Sequence, residues 1–264
     1  MQRASEHDPT VRDGGSVVAV SDLSSADRAA MLELMRAHYD GVDPAGFETD
    51  LDEKDRAVVL RRSGSIVGFS TLTELHLNVC STDITAFFSG DTIVATSVRG
   101  DAELARTWGR AVFEDAARIR RAAPDRRVYW LLISAGYKTY RFLPLFFQRY
   151  VPADGRAPDA FEEAVRHALA RARYGERYDA SSGIVRLERP TPLRAGVADV
   201  DARLGDPHVA TFVRLNPGHT AGDELVCLAA LDHANLTRAG RRVLGLVPAP
   251  ADPAGDHPGG ADGA

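Results

Sequence analysis

Asp91 follows Phe87-Phe88-Ser89-Gly90 and precedes Ile93-Val94. In such an apolar setting a carboxyl holds its proton to higher pH and can serve as a general base. The same four residues Ser89-Gly90-Asp91-Thr92 also read as a bulge or turn in which Asp91 bonds backbone amides. Glu74 stands between Leu72 and His76, as a second candidate base or as a solvent-facing acid. Tyr137 and Tyr140 are three residues apart, as are Lys138 and Arg141, so on a helix each pair shares a face. The two cations could hold a phosphate or an acidic carrier protein; a plain amphipathic helix with core tyrosines accounts for the pattern equally well. His219 is crowded by Asn216, Asp223 and Glu224, and His219 with Asp223 are candidates for binding an acceptor. A structural turn and strand explain that stretch too.

His76, His208, His219 and His233 do not combine into metal-ligand spacing, so no metal is expected. Cys80 and Cys227 lie far apart without CxxC spacing, which favours a reducing compartment. Cys80 has no activating histidine or cation beside it and reads as packing. With 44% hydrophobic and 26% charged residues the chain is globular in composition, and its net charge of -5 argues against a nucleic-acid partner. Met1–Gly15 is polar without an apolar core, so it is no signal peptide. The apolar runs Tyr129–Ile133 and Phe142–Phe147 are too short to span a bilayer. A cytoplasmic protein is the resulting expectation, and a homodimer is left open.

These residues need elements to position them. Ser16–Val20 reads as a strand, and Ser24-Ser25 cap a helix carrying Met31, Leu32, Leu34, Met35 and Tyr39. Asp43-Pro44 opens a second helix. Ala57–Leu60 and Ser65–Phe69 flank Arg61-Arg62-Ser63-Gly64 as a hairpin. Strands Ser70–Val79 and Thr85–Thr96 follow, then a helix over Glu103–Arg121 stopped by Pro124. Val128–Ile133 is a continuous apolar run suited to a buried strand. Tyr137–Phe147 reads as one helix, ended or kinked at Pro144. Phe142, Leu143, Leu145, Phe146 and Phe147 are core residues or the wall of an acyl groove. Beyond Val151 the expectation is a helix over Asp159–Arg173, irregular chain to Asp206, a helix through Phe212, a strand over Glu224–Leu231 and a helix from Asn235 to Leu244. The cluster Arg118, Arg120, Arg121, Arg126 and Arg127 reads as a solvated helix end or a carrier-protein docking patch.

The order over residues 16 to 151, with the hairpin Val58-Val59-Leu60 to Ser65-Ile66-Val67-Gly68-Phe69 and the strand Asp91-Thr92-Ile93-Val94-Ala95-Thr96, resembles the GNAT-type N-acyltransferase superfamily. The resemblance implies an α/β fold: a mixed, mostly antiparallel sheet flanked by helices, with a C-terminal extension packed on it. It covers an acyltransferase domain at 16–151; composition marks 1–15 and 248–264 as disordered tails, and 152–247 reads as the extension. It also implies that the strand Val128–Ile133 diverges from the strand ending near Thr96, leaving a slot for a pantetheine arm. Acyl-CoA or acyl-carrier protein would be the thioester donor, and an amine or hydroxyl on a small-molecule acceptor would receive the acyl group. By the same likeness Asp91 or Glu74 is the base and Tyr137 or Tyr140 the acid toward the departing thiolate. Val94, Thr96, Arg99 and Gly100 then contact the pantetheine arm and pyrophosphate at a helix N-terminus, with Lys138 and Arg141 as further cofactor contacts. The family's loop carries a second glycine; here Arg99-Gly100 is followed by Asp101-Ala102-Glu103, and the two acids add negative charge where phosphates dock. A binding module that has lost catalysis, or a carrier-protein-dependent acyl synthase, fits that departure as an alternative.

Overall fold

A computed structural model of the chain describes residues 13–98, 100–197 and 203–246. Eight strands form one sheet in the order β1-β2-β3-β4-β5-β8-β7-β6. They are β1 (Gly14–Ala19), β2 (Arg56–Arg62), β3 (Ser65–Val79), β4 (Thr82–Val94), β5 (Arg127–Ser134), β6 (Tyr178–Asp179), β7 (Ile184–Val185) and β8 (Glu224–Ala230). Every neighbouring pair is antiparallel except β4 with β5. The expected mixed, mostly antiparallel sheet is therefore the observed one.

Local chemistry sets the turns and helix ends. Ser63 and Gly64 both take positive φ at the β2–β3 turn, the backbone hand that matches the twist of the flanking strands. Cys80 and Ser81 do the same between β3 and β4. Cys80 is thus an exposed turn residue and not the packing residue expected, while Cys227 is buried in β8. Helix α1 (Ser25–His38) starts at a reciprocal capping box of Ser24 and Asp27, and α2 (Pro44–Asp52) starts at Asp43 with proline in its first turn. The expected separate strands Ser65–Phe69 and Ser70–Val79 are the continuous β3.

Helix α3 (Glu103–Ala122) buries Leu104, Trp108, Val112, Phe113, Ala116 and Ile119 on one sheet face. Burial of each large side chain of this kind stabilises by about 1.5–3 kcal/mol. The segment expected as one helix from Tyr137 breaks into α4 (Tyr137–Tyr140) and α5 (Phe142–Phe146), since Pro144 cannot donate the amide that a continuous helix needs at that position. These pack on the α3 side with α7 (Pro207–Leu215) and α8 (Arg238–Val243). A Cβ at Gly240 would meet the Phe146 carbonyl oxygen at 2.5 Å, so α8 lies directly on α5. The opposite face carries α1, α2 and α6 (Ala160–Tyr174). The stretch expected to be irregular up to Asp206 contains β6 and β7, two residues each, too short to leave an alternating pattern in sequence.

Two features of β4 and β5 break the regularity of the sheet at its centre. Ser70 pairs with Thr92 and Leu72 with Ser89, so β4 sets two residues, Gly90 and Asp91, against the single Thr71 of β3. That is a bulge, and bulges re-aim side chains. The parallel pairing of β4 with β5 runs from Ile84 to Ser89 and ends there, although β4 continues to Val94 and β5 to Ser134. The two strands part at Gly90, as the resemblance implied. On its other edge β5 pairs with β8 along the whole of Tyr129–Ser134, Leu132 opposite Cys227 and Ser134 opposite Leu225.

Candidate active site in the parting of two strands

The parted strands open a cleft of about 520 Å³. Ser89, Gly90, Thr92 and Val94 line it from β4, Trp130 and Leu132 from β5, and Trp108 from α3. Phe142, Leu145 and Phe146 line it as well, whereas Leu143 and Phe147 belong to the core. The aromatic run after α4 is thus divided between wall and core. A strap from the far part of the chain closes one side. Pro192 O accepts the Asp40 amide at 2.9 Å, Arg194 N–H donates to His38 O at 2.9 Å, and Leu193 bridges Tyr39. Leu193 and Val197 both face the cleft.

Asp91 is half-buried beside this cleft, and burial together with the nearby negative charge of Asp50 pushes its carboxyl up to about 6. Glu224, at the start of β8, is half-buried too; burial and the charges of Asp91 and Asp50 push it up to about 8. Among the described residues neither carboxylate has an ion-pair partner, whereas Asp50 is held by Lys54 Nζ at 2.5 Å. Tyr39 lines the cleft and links it to the acids: burial, then Glu224 and Asp91, hold its phenol well above the ordinary range. Two carboxyls with separated proton affinities, next to an apolar slot, can take a proton from a nucleophile delivered there.

Glu74 sits elsewhere. It lies on β3 opposite Phe87, with Oε1 3.5 Å from His76 Nε2; neither it nor its chain neighbours line the cleft, whereas Gly90 and Thr92 on either side of Asp91 do. The two α4 tyrosines are core residues: Tyr137 is buried, and Tyr140 is fully buried with its hydroxyl on Pro152 O at 3.0 Å and its ring 5.8 Å from Phe212. They share a face as expected, but it is the face turned from the cleft; Lys138 and Thr139 line the slot. Lys138 Nζ donates to Val197 O, and Arg141 pairs with Asp206 at 3.3 Å. His219 Nδ1 bonds Asn216 O at 2.8 Å, its ring stacks edge-on to Phe212, and Asp223 pairs with Arg186 at 3.3 Å. Neither reaches the cleft. Asn216 is the tie of that segment, donating from Nδ2 to Ser134 O and Asp223 O. That leaves Glu224 as its chemically interesting acid, named in sequence only as a neighbour of His219. The signal available for it was an acid placed directly before the apolar run Leu225–Leu228.

At the loop entering α3, Val94, Gly100, Asp101 and Ala102 border the cleft; Thr96 is exposed in a short turn; Arg99 lies outside the described residues. Gly100 has φ +94. The acids are neutralised locally: Arg62 reaches Asp101 at 2.5 Å and Glu103 at 2.7 Å. The Glu103 amide and Arg62 hold the Asp101 carboxyl below the usual range, and Arg62 with the Gly15 amide does the same for Glu103. Asp101 Oδ1 accepts the Glu103 amide at 2.9 Å, so one of the N–H groups at the start of α3 is already satisfied by a side chain. The expected docking patch at the end of α3 is partly committed: Arg118 pairs with Asp115, Arg126 with Asp83, and Arg127 stacks over Phe161 at 4.5 Å.

The bulged β4, its parting from β5 and the sheet order together make this a mixed, mostly antiparallel α/β fold of the kind that the sequence resemblance implied. No protein-family model matches the chain, and no curated protein matches it. Among solved structures, similar ones include a probable N-acyltransferase from Enterococcus faecalis V583, 13% identical over 52% of this chain and 33% of that one, TM-score 0.39. The match spans only a third of that protein. An aminoglycoside 6'-acetyltransferase type Ii is 14% identical over 53% of this chain and 87% of that one, TM-score 0.37. An acyl-CoA N-acyltransferase from Pseudomonas aeruginosa is 17% identical over 44% and 77%, TM-score 0.32. No helix among the described residues is long and apolar enough to cross a membrane.

Proposed function

We propose that the chain is an acyltransferase: a pantetheine-type thioester, carried by CoA or an acyl-carrier protein, enters the cleft and an amine or hydroxyl acceptor approaches from the Asp91–Glu224 side. The observation that carries this is the parting of β4 from β5 at Gly90, which makes an apolar slot; Gly90 and Thr92 of its wall flank Asp91, and Tyr39 of its wall feels the charges of Glu224 and Asp91, two carboxylates without ion-pair partners among the described residues. Asp91 takes the proton from the attacking group; it is ionised at neutral pH, whereas Glu224 still holds its proton. The concentration of carboxylates favours an acceptor that arrives as a cation. Tyr39 lines the slot where the α4 tyrosines do not; its phenol, held well above the ordinary range, keeps its proton and can donate a hydrogen bond to the departing sulfur. The test is acyl transfer from acetyl-CoA, S-acetylpantetheine or an acetylated carrier protein to a panel of amines and alcohols, read by mass spectrometry. Product that disappears in Asp91→Asn is expected. Absence of product with all three donors would overturn the proposal.

A binding module that has lost catalysis is the second reading, favoured by the carboxylate cap on α3. It predicts that thioester binds and survives intact with every acceptor.

A further inference from the structure

Ser89 is the last β4 residue paired with β5 and stands where the cleft begins. It is 3% exposed. Its hydroxyl oxygen accepts two hydrogen bonds, from Trp130 Nε1 at 2.9 Å and Trp108 Nε1 at 3.2 Å. The two indoles are packed against each other with ring centres 4.6 Å apart, so both donors are held in place by the core. A serine hydroxyl has two lone pairs and one proton. Here both lone pairs are occupied by groups that can only donate. The proton must therefore point away from both indoles, and among the described residues no acceptor takes it. What remains on that side is the cleft itself, which Ser89 and both tryptophans line. The arrangement is a buried donor of fixed direction, with its oxygen further polarised by two incoming N–H groups.

Resting on the reading of the cleft as the thioester site, we propose that Ser89 donates its hydroxyl hydrogen bond to the acyl carbonyl oxygen. In the reaction the acceptor nitrogen or oxygen bonds to the carbonyl carbon, and the C=O π pair moves onto the oxygen that Ser89 faces. The acceptor's proton passes to the Asp91 carboxylate. The oxygen pair then reforms the C=O as the C–S bond breaks, and the thiolate leaves. Ser89 gives up no proton in this sequence; it stabilises the charge that develops on oxygen and needs no reorganisation to do so.

The test is isotope-edited infrared spectroscopy of S-acetylpantetheine, labelled at its carbonyl and bound to the full chain, with binding followed separately by calorimetry. This probe lacks the nucleotide, so the capped α3 loop does not enter. The bound carbonyl stretch is expected at lower frequency than in water for the native chain, and it should return upward in Ser89→Ala. Ser89→Cys, whose thiol is a weaker donor and acceptor, should fall between; it carries the test if two unsatisfied indoles prevent Ser89→Ala from folding. A stretch that is the same in native and substituted chains, with binding intact, overturns the role of Ser89 and leaves the cleft assignment standing. Failure of the native chain to bind the probe overturns the cleft assignment and the proposal with it.

Discussion

Asp91 and Glu224 come from strands on opposite sides of β5, and both act on the phenol of Tyr39. Burial and the charges of Asp91 and Asp50 push Glu224 up to about 8. Burial and the charge of Asp50 push Asp91 up to about 6. The pair therefore loses its protons in two separated steps.

Acyl transfer should accordingly rise with pH through about 6, as Asp91 becomes a competent base. Asp91→Asn should lower kcat by ~10²–10⁴-fold, the range for a general base. A pH–rate profile of the native chain and of this variant checks both. A profile flat across pH 6 in the native chain would remove Asp91 from the role.

Stability should move the opposite way. Glu224 has a folded pKa raised from 4.5 to about 8, so the native state binds more protons than the unfolded one between those values. Its favourable contribution is complete below about 4.5 and is lost as pH climbs to about 8. Glu224→Gln should raise the melting midpoint at pH 8.5 by a few degrees and change it little at pH 4.5. Thermal scans at the two pH values distinguish this from a uniform effect of the substitution.

Asp101 caps α3 at the place a pyrophosphate would use. Asp101→Ala frees the Glu103 amide and removes one negative charge. Calorimetry should then show tighter binding of acetyl-CoA, by about tenfold, and unchanged binding of S-acetylpantetheine, which has no pyrophosphate. Equal effects on the two would mean that the phosphates lie elsewhere.

We propose that residues 152–247 are an obligatory extension of the first 151 and not an independent unit. β5 depends on β8 along Tyr129–Ser134, and Leu225–Ala229 are all buried there. A chain ending at Val151 should expose the apolar edge of β5 and aggregate or unfold, as read by circular dichroism and gel filtration. A well-folded monomer of that length would contradict it.

Much of the sheet was legible because its strands alternate or run apolar and its turns are short. The hairpin at Ser63-Gly64, α3 and β5 all fall where periodicity places them. The side chains that meet in the site are harder to read. Spacing places Tyr137 and Tyr140 on one face of α4 but does not say which face looks at the cleft; the packing of Phe212 on Tyr140 decides that. Glu224 is hard to single out because Asp91 is distant in sequence and meets it only through the β4–β5–β8 order. Ser89 reads as part of a turn, since nothing local tells that two tryptophans from α3 and β5 converge on its oxygen.

The strap and β8 tie the slot to distant parts of the chain. Asp91 lies on β4, Leu193 reaches in from the strap against Tyr39, and Glu224 opens β8, which is paired to β5. On the proposed reading the pair of acids that handles the proton is therefore assembled from segments far apart in sequence, and local melting at either edge of β5 would separate the two acids before the rest of the sheet is lost.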